Sequence, residues 1–432
     1  MIFFTDGQKY GILKQSRSKG GARMQVFENE IAKQIPSYAL AVMDALERSG
    51  HRGYLVGGSL RDLLRGKTPH DFDMTTNALP DEMVEIFRDF RVIPTGLKHG
   101  TLTVLSEGQP IEVTTHRADG EYLDGRRPES VTFAVGLEDD LSRRDFTVNA
   151  MAFHPAVGLV DLFGGRDDLA QGLIRAVGEP VKRFTEDALR ILRAFRFSAQ
   201  LDFSIVPDTL AGAKACREGL LKISPERIFS EITRLLKSPA VGRGLAALFE
   251  AECEKYVFFD TVVPLNRIYA VEKLPAEAAL RLAYLLRGTA VEEAHRLCRR
   301  LRSSNAFADR VRGLLTAVAV PLPQNEYEAR RFVCGAWQEW EGALLLREAE
   351  GEQVDEARRL CKTVAKNGTA VELRRLAVNG RELQEKLGLR PEKTGQMLYR
   401  LQDLVWRDPS RNKKVVLLEL AAELLAAEGA LQ

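Results

Sequence analysis

The sequence predicts an α+β protein in which one mixed β-sheet occupies the N-terminal part and helices make up the rest. Short β-branched and apolar runs separated by turn residues recur between Tyr54 and Asp161. From Gly178 onward, the apolar residues instead recur at helical spacing. The chain has 432 residues, about three average domains' worth, of which 45% are hydrophobic. This composition is enough for more than one core.

Charge, cysteine content and hydrophobicity argue against a uniformly basic, a disulfide-bonded or a membrane-spanning protein. The 62 basic residues nearly balance the 60 acidic ones, so any nucleic-acid contact must come from local basic faces. The five scattered cysteines form no Cys-x-x-Cys pair, which predicts reduced thiols in the cytoplasm and no structural zinc. No apolar run approaches membrane-spanning length, so we expect no membrane association.

The N-terminal 23 residues differ in composition from the rest of the chain. They carry five basic residues and one acidic residue, without the apolar core of a signal peptide. We interpret residues 1–23 as a disordered extension, or as the product of a start site chosen upstream of Met24. Because the segment has no apolar periodicity with which to dock, its deletion should leave activity unchanged. A large loss of RNA affinity on deletion would instead identify it as a basic RNA-binding arm.

The strongest local pattern begins with an apolar run that breaks at Gly57 and Gly58 and resumes as a helix-like segment. A strand, a tight turn and a helix N-terminus in this order leave backbone N–H groups available to a phosphate. Arg61 lies where its guanidinium can add a fixed positive charge. Gly-Gly turns are common, so the motif is informative only in combination with a neighbouring acidic motif.

Two aspartates lie ten and twelve residues after Arg61. Side chains alternate along an extended segment, so Asp71 and Asp73 should share one face while Phe72 and Met74 face the core. Two carboxylates beside a phosphate cradle predict a magnesium site for nucleotidyl transfer. The alternative for an isolated Asp-x-Asp is a solvated loop or a surface salt bridge.

A hairpin is predicted next, from β-branched runs at 101–105 and 111–115. If Ile111 and Val113 face the core, Glu112 shares the open face with the aspartates of a neighbouring strand. Glu112 would then be a third carboxylate of the site. Without the first motif, a lone exposed acid would be the better interpretation.

Several flanking segments have simpler patterns. Residues 24–50 and 80–90 predict helices, and the charged, glycine-dotted residues 116–130 predict a mobile loop. Arg143 and Arg144 precede a segment of small residues that we predict to be helical. This pair suits anion binding, although an ordinary solvated basic pair is the simpler alternative.

Residues 186–197 predict a helix on which Asp187 and Arg190 are three apart and therefore neighbours. The alternative is a surface ion pair contributing a few tenths of a kcal/mol. Arg193 and Arg196 continue the three-residue spacing. A further helix starts at Ser224-Pro225, and breaks near 238, 321–323 and 366–368 divide an all-helical remainder. It contains no second His-Asp pair of a phosphohydrolase metal domain.

Taken in order, these motifs resemble those of the class II tRNA nucleotidyltransferases, the CCA-adding enzymes, which share them with bacterial poly(A) polymerases. The matching stretches are 57–62, 71–73, 98–101, 112–115, 126–130, 143–150, 186–190 and 224–228. The resemblance is strong over about 25–240 and weak beyond, through 376–381. It implies a polymerase-beta-like nucleotidyltransferase head at 24–167, followed by a helical neck (168–238), body (239–323) and tRNA-binding tail (324–432).

The resemblance also implies roles for individual residues. Asp71 and Asp73 would be catalytic and bind Mg²⁺, and Glu112 would complete the carboxylate set. The positions matching nucleotide-binding residues are Gly58, Arg61, Arg144, Asp187, Arg190, Arg193 and Arg196, with Asp187 and Arg190 selecting the base. His116 departs from the family, which often has an aromatic residue there, and this leaves the behaviour of the following loop open.

The implied function is the addition of C, C and A to the 3′ end of tRNA from CTP and ATP, with release of pyrophosphate. The partners would be the 3′ end and the acceptor and T arms of tRNA, and the oligomeric state, monomer or homodimer, is left open. Rivals are CC-only or A-only enzymes and a poly(A) polymerase. Family members restricted to CC tend to lack the loop at 117–124, and no long basic C-terminal tail is present. Intact carboxylates disfavour a non-catalytic tRNA-binding protein.

Overall fold

The computed structural model describes residues 30–96, 100–119, 131–133, 135–335 and 339–429. The chain divides into two compact units. The first runs to residue 194 and includes 203–222, and the second comprises 195–202 and the residues from 223 onward. The predicted extension at 1–23 lies outside the described residues. The division into head, neck, body and tail stays a prediction.

The first unit is built on a seven-stranded mixed sheet. Its strands are β1 (Gly53–Val56), β2 (Phe72–Thr76), β3 (Arg91–Gly96), β4 (Thr101–Ser106), β5 (Gln109–Thr115), β8 (Met151–His154) and β9 (Gly158–Asp161). They lie in the order β3-β4-β5-β2-β1-β8-β9. Only β2 and β5 are parallel neighbours, and the other pairs are antiparallel. The predicted hairpin of β4 and β5 is confirmed, with Glu107 and Gly108 at positive φ in its turn.

Helices cover the apolar face of this sheet. They are α1 (Ser37–Arg48), α2 (Gly57–Leu64) and α3 (Pro80–Ile86), and their buried residues join those of the strands in one core. Phe72 and Met74 are buried in that core, as strand alternation predicts. Pro80 occupies the first turn of α3, but the helix ends at Ile86, before the predicted end at residue 90.

Short elements complete the first unit. They are β6 (Arg117–Asp119), β7 (Val131–Phe133), α4 (Leu137–Ser142), α5 (Gly165–Gln171), β10 (Leu173–Ile174), α6 (Pro180–Glu186), the first turns of α7 (Leu189–Leu201), β11 (Ser204–Ile205) and α8 (Pro207–Ala215).

In the second unit, the described residues from 223 onward form helices and no strand. They are α9 (Pro225–Leu236), α10 (Val241–Glu250), α11 (Glu254–Val257), α12 (Arg267–Ala270), α13 (Ala278–Leu285), α14 (Val291–Arg300), α15 (Asn305–Ala319), α16 (Glu326–Gly335), α17 (Trp340–Ala349), α18 (Asp355–Lys366), α19 (Gly380–Leu387), α20 (Pro391–Arg407) and α21 (Lys414–Gly429). The breaks fall where the sequence predicts them. Ser224 is the N-cap residue of α9, although its side chain makes no capping bond.

Three further local predictions about this part of the fold are wrong. The helix predicted over 24–50 is interrupted at Pro36, because proline disfavours helical geometry in the preceding residue. Residues 117–119 form β6, which pairs with β7, so the predicted loop at 116–130 begins with a strand. Its residues 120–130 lie outside the described part. The small-residue helix predicted after Arg144 is a short 3₁₀ turn at Thr147–Asn149 followed by β8.

None of the helices in the described part of the chain is long and apolar enough to cross a membrane. All five cysteines are free thiols.

Candidate active site

The predicted phosphate cradle forms where β1 turns into α2. Gly57 is the first residue of α2 and has a φ of 69°, which residues other than glycine rarely adopt. A Cβ there would lie 3.5 Å from Nη1 of Arg144 and 3.9 Å from Oδ2 of Asp73. A Cβ on Gly58 would lie 3.6 Å from Nη2 of Arg61. The structure therefore brings Arg61, Arg144 and Asp73 close to this turn.

The carboxylates meet across two parallel strands. Asp73 is paired in register with Glu112, so the two side chains share the face of the sheet that is turned away from the core. Asp71 immediately precedes β2 and is exposed. Burial, and then the charges of Asp71 and Glu112, raise the pKa of Asp73 to about 6, despite the lowering effect of Arg144.

The fit of this site to a divalent cation follows from its donors. Carboxylate oxygens are the ligands that Mg²⁺ prefers, and mutual repulsion among the acids is relieved by a cation. Within the described residues, no group of three or more His, Cys, Asp or Glu is arranged to hold a metal ion. Mg²⁺ commonly binds through one or two carboxylates and completes its shell with water and substrate phosphates. Asp71 and Asp73 fit that incomplete type of site.

A buried aspartate that sequence reasoning missed holds the two basic residues of the site. Asp140 is completely buried, and its Oδ1 accepts from Nη2 of Arg143 at 2.6 Å while its Oδ2 accepts from Nη2 of Arg144 at 3.2 Å. Burial alone would raise the pKa of Asp140, but the two arginines lower it to about 2. The predicted alternative of a solvated basic pair is therefore wrong.

Asp140 also extends a polar network into the sheet. The hydroxyl of Thr75 lies 3.2 Å from Asp140 Oδ2 and 2.9 Å from Nδ1 of His116. Burial lowers the pKa of His116 to about 4, although Asp140 raises it. The histidine that departs from the family pattern is thus a buried, neutral member of this network at the end of β5.

A second network of hydrogen bonds joins Arg61 to Arg193 on α7. Arg61 is buried, and its Nη1 donates to Oδ1 of Asn149 at 2.9 Å. Asn149 donates in turn to Oδ1 of Asp145 at 3.3 Å, and Oδ2 of Asp145 accepts from Nε of Arg193 at 2.8 Å. Asp145 and Asn149 belong to the motif at 143–150, but their arginine partners, Arg193 and Arg61, lie far away in the chain.

Asp187 and Arg190 are placed differently from the prediction. The helix predicted over 186–197 is wrong at its start, because α6 ends at Glu186 and α7 begins at Leu189. Asp187 has an extended backbone and lies between the two helices, where its Oδ1 accepts from the N–H of Leu189 at 3.0 Å. A carboxylate that satisfies an orphan N–H at a helix start explains the break.

Arg190 is buried and anchored on three sides. Its Nη1 donates to Glu186 at 2.8 Å and to the backbone carbonyl of Arg183 at 3.2 Å, and its Nη2 donates to the carbonyl of Arg143 at 2.9 Å. The backbone bond to Arg143 places the guanidinium of Arg190 next to the segment that carries Arg144.

The other two predicted arginines, Arg193 and Arg196, bind different carboxylates. Arg193 pairs with Asp145 in the first unit. Arg196 belongs to the second unit, where it is buried and its Nε donates to Glu231 at 2.5 Å while its Nη1 donates to Gln200 at 2.8 Å. Both arginines therefore have carboxylate partners within the protein.

The pairing of Asp145 with Arg193 can be tested through the pH dependence of the free energy of unfolding. Burial alone would raise its pKa, but Arg193 and the hydrogen bonds of the carboxylate lower it to about 2. Because this lies below the unfolded value of about 3.9, Asp145 contributes stability above about pH 4 that is lost as pH falls towards 2. The difference between the folded and unfolded pKa values corresponds to about 2–3 kcal/mol.

We therefore expect Asp145→Asn to lower the free energy of unfolding at pH 7 by about 2 kcal/mol or more, since Arg193 loses its buried partner. The difference between wild type and variant should shrink between pH 4 and pH 3. Urea unfolding at pH 7, 4 and 3 measures it. A difference independent of pH would contradict the assignment of the Asp145–Arg193 ion pair.

The fold and the site define a nucleotidyltransferase of the poly(A) polymerase type. Residues 53–175 match the family model described as "Poly A polymerase head domain". Residues 202–261 match a second model, described as "Probable RNA and SrmB- binding site of polymerase A". The first match covers the seven-stranded sheet, the glycine turn, and the two buried aspartates Asp140 and Asp145.

Curated relatives define the family more narrowly. The CCA-adding enzyme of Streptococcus gordonii is 36% identical over 88% of this chain and 94% of its own length. That of Geobacillus stearothermophilus is 36% identical over 85% and 91% of the two chains. The chain belongs to the family of CCA-adding enzymes. Membership of this nucleotidyltransferase family implies dependence on a divalent metal ion.

Solved structures support the same assignment. The crystal structure of the Bacillus stearothermophilus CCA-adding enzyme in complex with CTP aligns with a TM-score of 0.77 at 30% identity, over 91% of this chain and 98% of the other. The Thermotoga maritima CCA-adding enzyme complexed with a tRNA aligns with a TM-score of 0.66 at 21% identity, over 92% and 98%, and shows the likeness of fold.

Proposed function

We propose that this protein adds C, C and A to the 3′ end of immature or damaged tRNA, using CTP and ATP without a nucleic-acid template and releasing pyrophosphate. The observation that carries the proposal is the arrangement of Asp73 and Glu112 in register beside a glycine turn flanked by Arg61 and Arg144. The CCA-adding enzymes among its relatives favour this reaction over other nucleotidyl transfers.

The reaction is attack of the RNA 3′-hydroxyl on the α-phosphate, in line with the departing pyrophosphate. Mg²⁺, held by Asp71 and Asp73, would lower the pKa of the attacking hydroxyl and neutralise charge on the leaving group. Gly57 and Gly58 leave room and backbone N–H groups for the triphosphate. Arg61 and Arg144 neutralise it. Because Asn149 holds the guanidinium of Arg61 and the buried Asp140 holds that of Arg144, little reorganisation is needed during transfer.

Base choice is assigned to Asp187 and Arg190. A carboxylate can only accept and a guanidinium can only donate. Cytosine and adenine each present an amine donor next to a ring-nitrogen acceptor, whereas uracil and guanine present the opposite pattern. The short distance along the chain between these residues, and the anchoring of Arg190 to Arg143, support a single base site beside the triphosphate.

The helical second unit is proposed to hold the acceptor and T arms of tRNA, with 324–432 as the tail. tRNA as a substrate also suggests action in the cytoplasm. Arg193 and Arg196 are proposed to be nucleotide-binding residues, as the resemblance implies, and Arg193 also binds Asp145.

The experiment that tests the function uses transcripts ending at the discriminator base, at C and at CC. Each is incubated with Mg²⁺ and with CTP, ATP, UTP or GTP singly and with CTP and ATP together. The proposal expects three added nucleotides on the shortest transcript and one A on the longest. Addition of only CC, of only A, or of a long A tract would establish one of the rival activities instead. No release of pyrophosphate with any transcript would reduce the protein to a tRNA-binding module.

A further inference from the structure

A row of side chains crosses four strands on the open face of the N-terminal sheet. The strand registers pair Asp73 with Glu112, Glu112 with Thr103, and Thr103 with Ile93. Directly paired residues point to the same face. Neighbouring strands are about 4.8 Å apart, so the row extends about 14 Å from the catalytic aspartate to the sheet edge.

The chemistry of this row changes along its length. Glu112 is exposed, Thr103 is partly exposed, and Ile93 on the edge strand is 38% exposed. Their sequence neighbours Val113 and Val104 are buried in the core on the other face. The row therefore passes from a carboxylate through a hydroxyl to an accessible aliphatic side chain that the core does not use.

The direction of the reaction determines which substrate can reach this row. The glycine turn that cradles the triphosphate lies at the end of β1, which borders β2 on one side. β5 borders β2 on the other side. In an in-line transfer, the attacking oxygen and the leaving pyrophosphate lie on opposite sides of the α-phosphate. The attacking 3′-hydroxyl must then approach from the side of β5.

We infer that Thr103 and Ile93 form the subsite for the 3′-terminal nucleotide of the RNA, with the Thr103 hydroxyl bonded to the ribose and Ile93 packed against the base. This inference rests on the proposed function and assigns the acceptor side of the same site. A threonine hydroxyl can bond the ribose 2′-hydroxyl, which both donates and accepts.

The absence of charge at these two positions suits an acceptor end that changes as it grows. The terminal base is first the discriminator, then C, then C again, so a subsite that read base edges would favour one step over the others. An aliphatic surface contacts the face of any base without distinguishing hydrogen-bonding groups. Base choice then rests with the incoming nucleotide alone.

The test compares Ile93→Ser and Thr103→Val with a matched control, Val84→Ser. Val84 is a similarly exposed aliphatic residue on α3, which contacts the core face of the sheet. Because most of the tRNA binds elsewhere, the subsite variants should keep tRNA affinity and the KM for CTP. Their kcat on saturating tRNA should fall about tenfold, equally for transcripts ending at the discriminator, C and CC. Val84→Ser should match wild type in every measurement.

A second readout separates a ribose contact from a structural effect. Replacing the terminal 2′-hydroxyl of the transcript by hydrogen should slow wild type about tenfold but should slow Thr103→Val no further. Unchanged kcat in Ile93→Ser and Thr103→Val, or an undiminished 2′-deoxy effect in Thr103→Val, overturns the subsite. If wild type itself adds no nucleotide to tRNA, the proposed function fails, whereas failure of the subsite alone leaves wild-type addition intact.

Discussion

Asp73→Ala is expected to abolish nucleotide transfer, and Asp71→Ala to do the same, while tRNA affinity stays close to that of wild type. Removing a metal-binding carboxylate forfeits several kcal/mol of transition-state charge stabilisation. This is a loss of about three orders of magnitude or more in kcat. tRNA affinity should survive, because phosphate contacts elsewhere dominate RNA binding.

Folding should not account for this loss. Asp73 lies beside the like charges of Asp71 and Glu112. Removing its carboxylate therefore relieves repulsion and does not break a stabilising ion pair. The matched control is Asp89→Ala, which removes an exposed carboxylate following α3. Single-turnover transfer with saturating tRNA and CTP, together with a tRNA binding isotherm, measures both quantities. Substantial turnover in either active-site variant would contradict the assignment of these aspartates to metal binding.

Asp187→Ala and Arg190→Ala are each expected to lose discrimination against UTP and GTP as well as overall rate. Uracil and guanine would place an acceptor opposite the carboxylate of Asp187 and a donor opposite the guanidinium of Arg190. Each unpaired group in a desolvated pocket costs on the order of 1–3 kcal/mol. Two such contacts give about one to four orders of magnitude of selectivity. Arg190 has five donors, so it can hold Glu186 and still donate to a base.

The measurement is kcat/KM for all four nucleotides on a tRNA substrate. Asp208→Ala, an exposed carboxylate in the first turn of α8, is the control for a general change of charge near this region of the chain. Its preference ratios should equal those of wild type. If Asp187→Ala and Arg190→Ala also retain the wild-type ratios, base choice lies elsewhere and the two residues serve only to shape the junction of α6 and α7.

Local sequence patterns were sufficient to predict the orientation of side chains where one face of a strand is buried. Strand alternation placed Asp73 and Glu112 on the open side because Phe72, Met74, Ile111 and Val113 had to be buried. The glycine turn was predictable because the positive φ of Gly57 is a conformation that favours glycine. The break between α6 and α7 was missed, since a capping aspartate inside a helical pattern looks like an ordinary helical residue.

The sequence by itself determined the fold class, the glycine turn and the shared face of Asp73 and Glu112, because each depends on periodicity or on turn chemistry within a few residues. Only the tertiary structure decided which side chains hold the arginines. Asn149 binds Arg61 across 88 residues, and Asp145 binds Arg193 across 48. A buried charge must find a partner, but periodicity shows only that a residue is buried and not which distant group it meets.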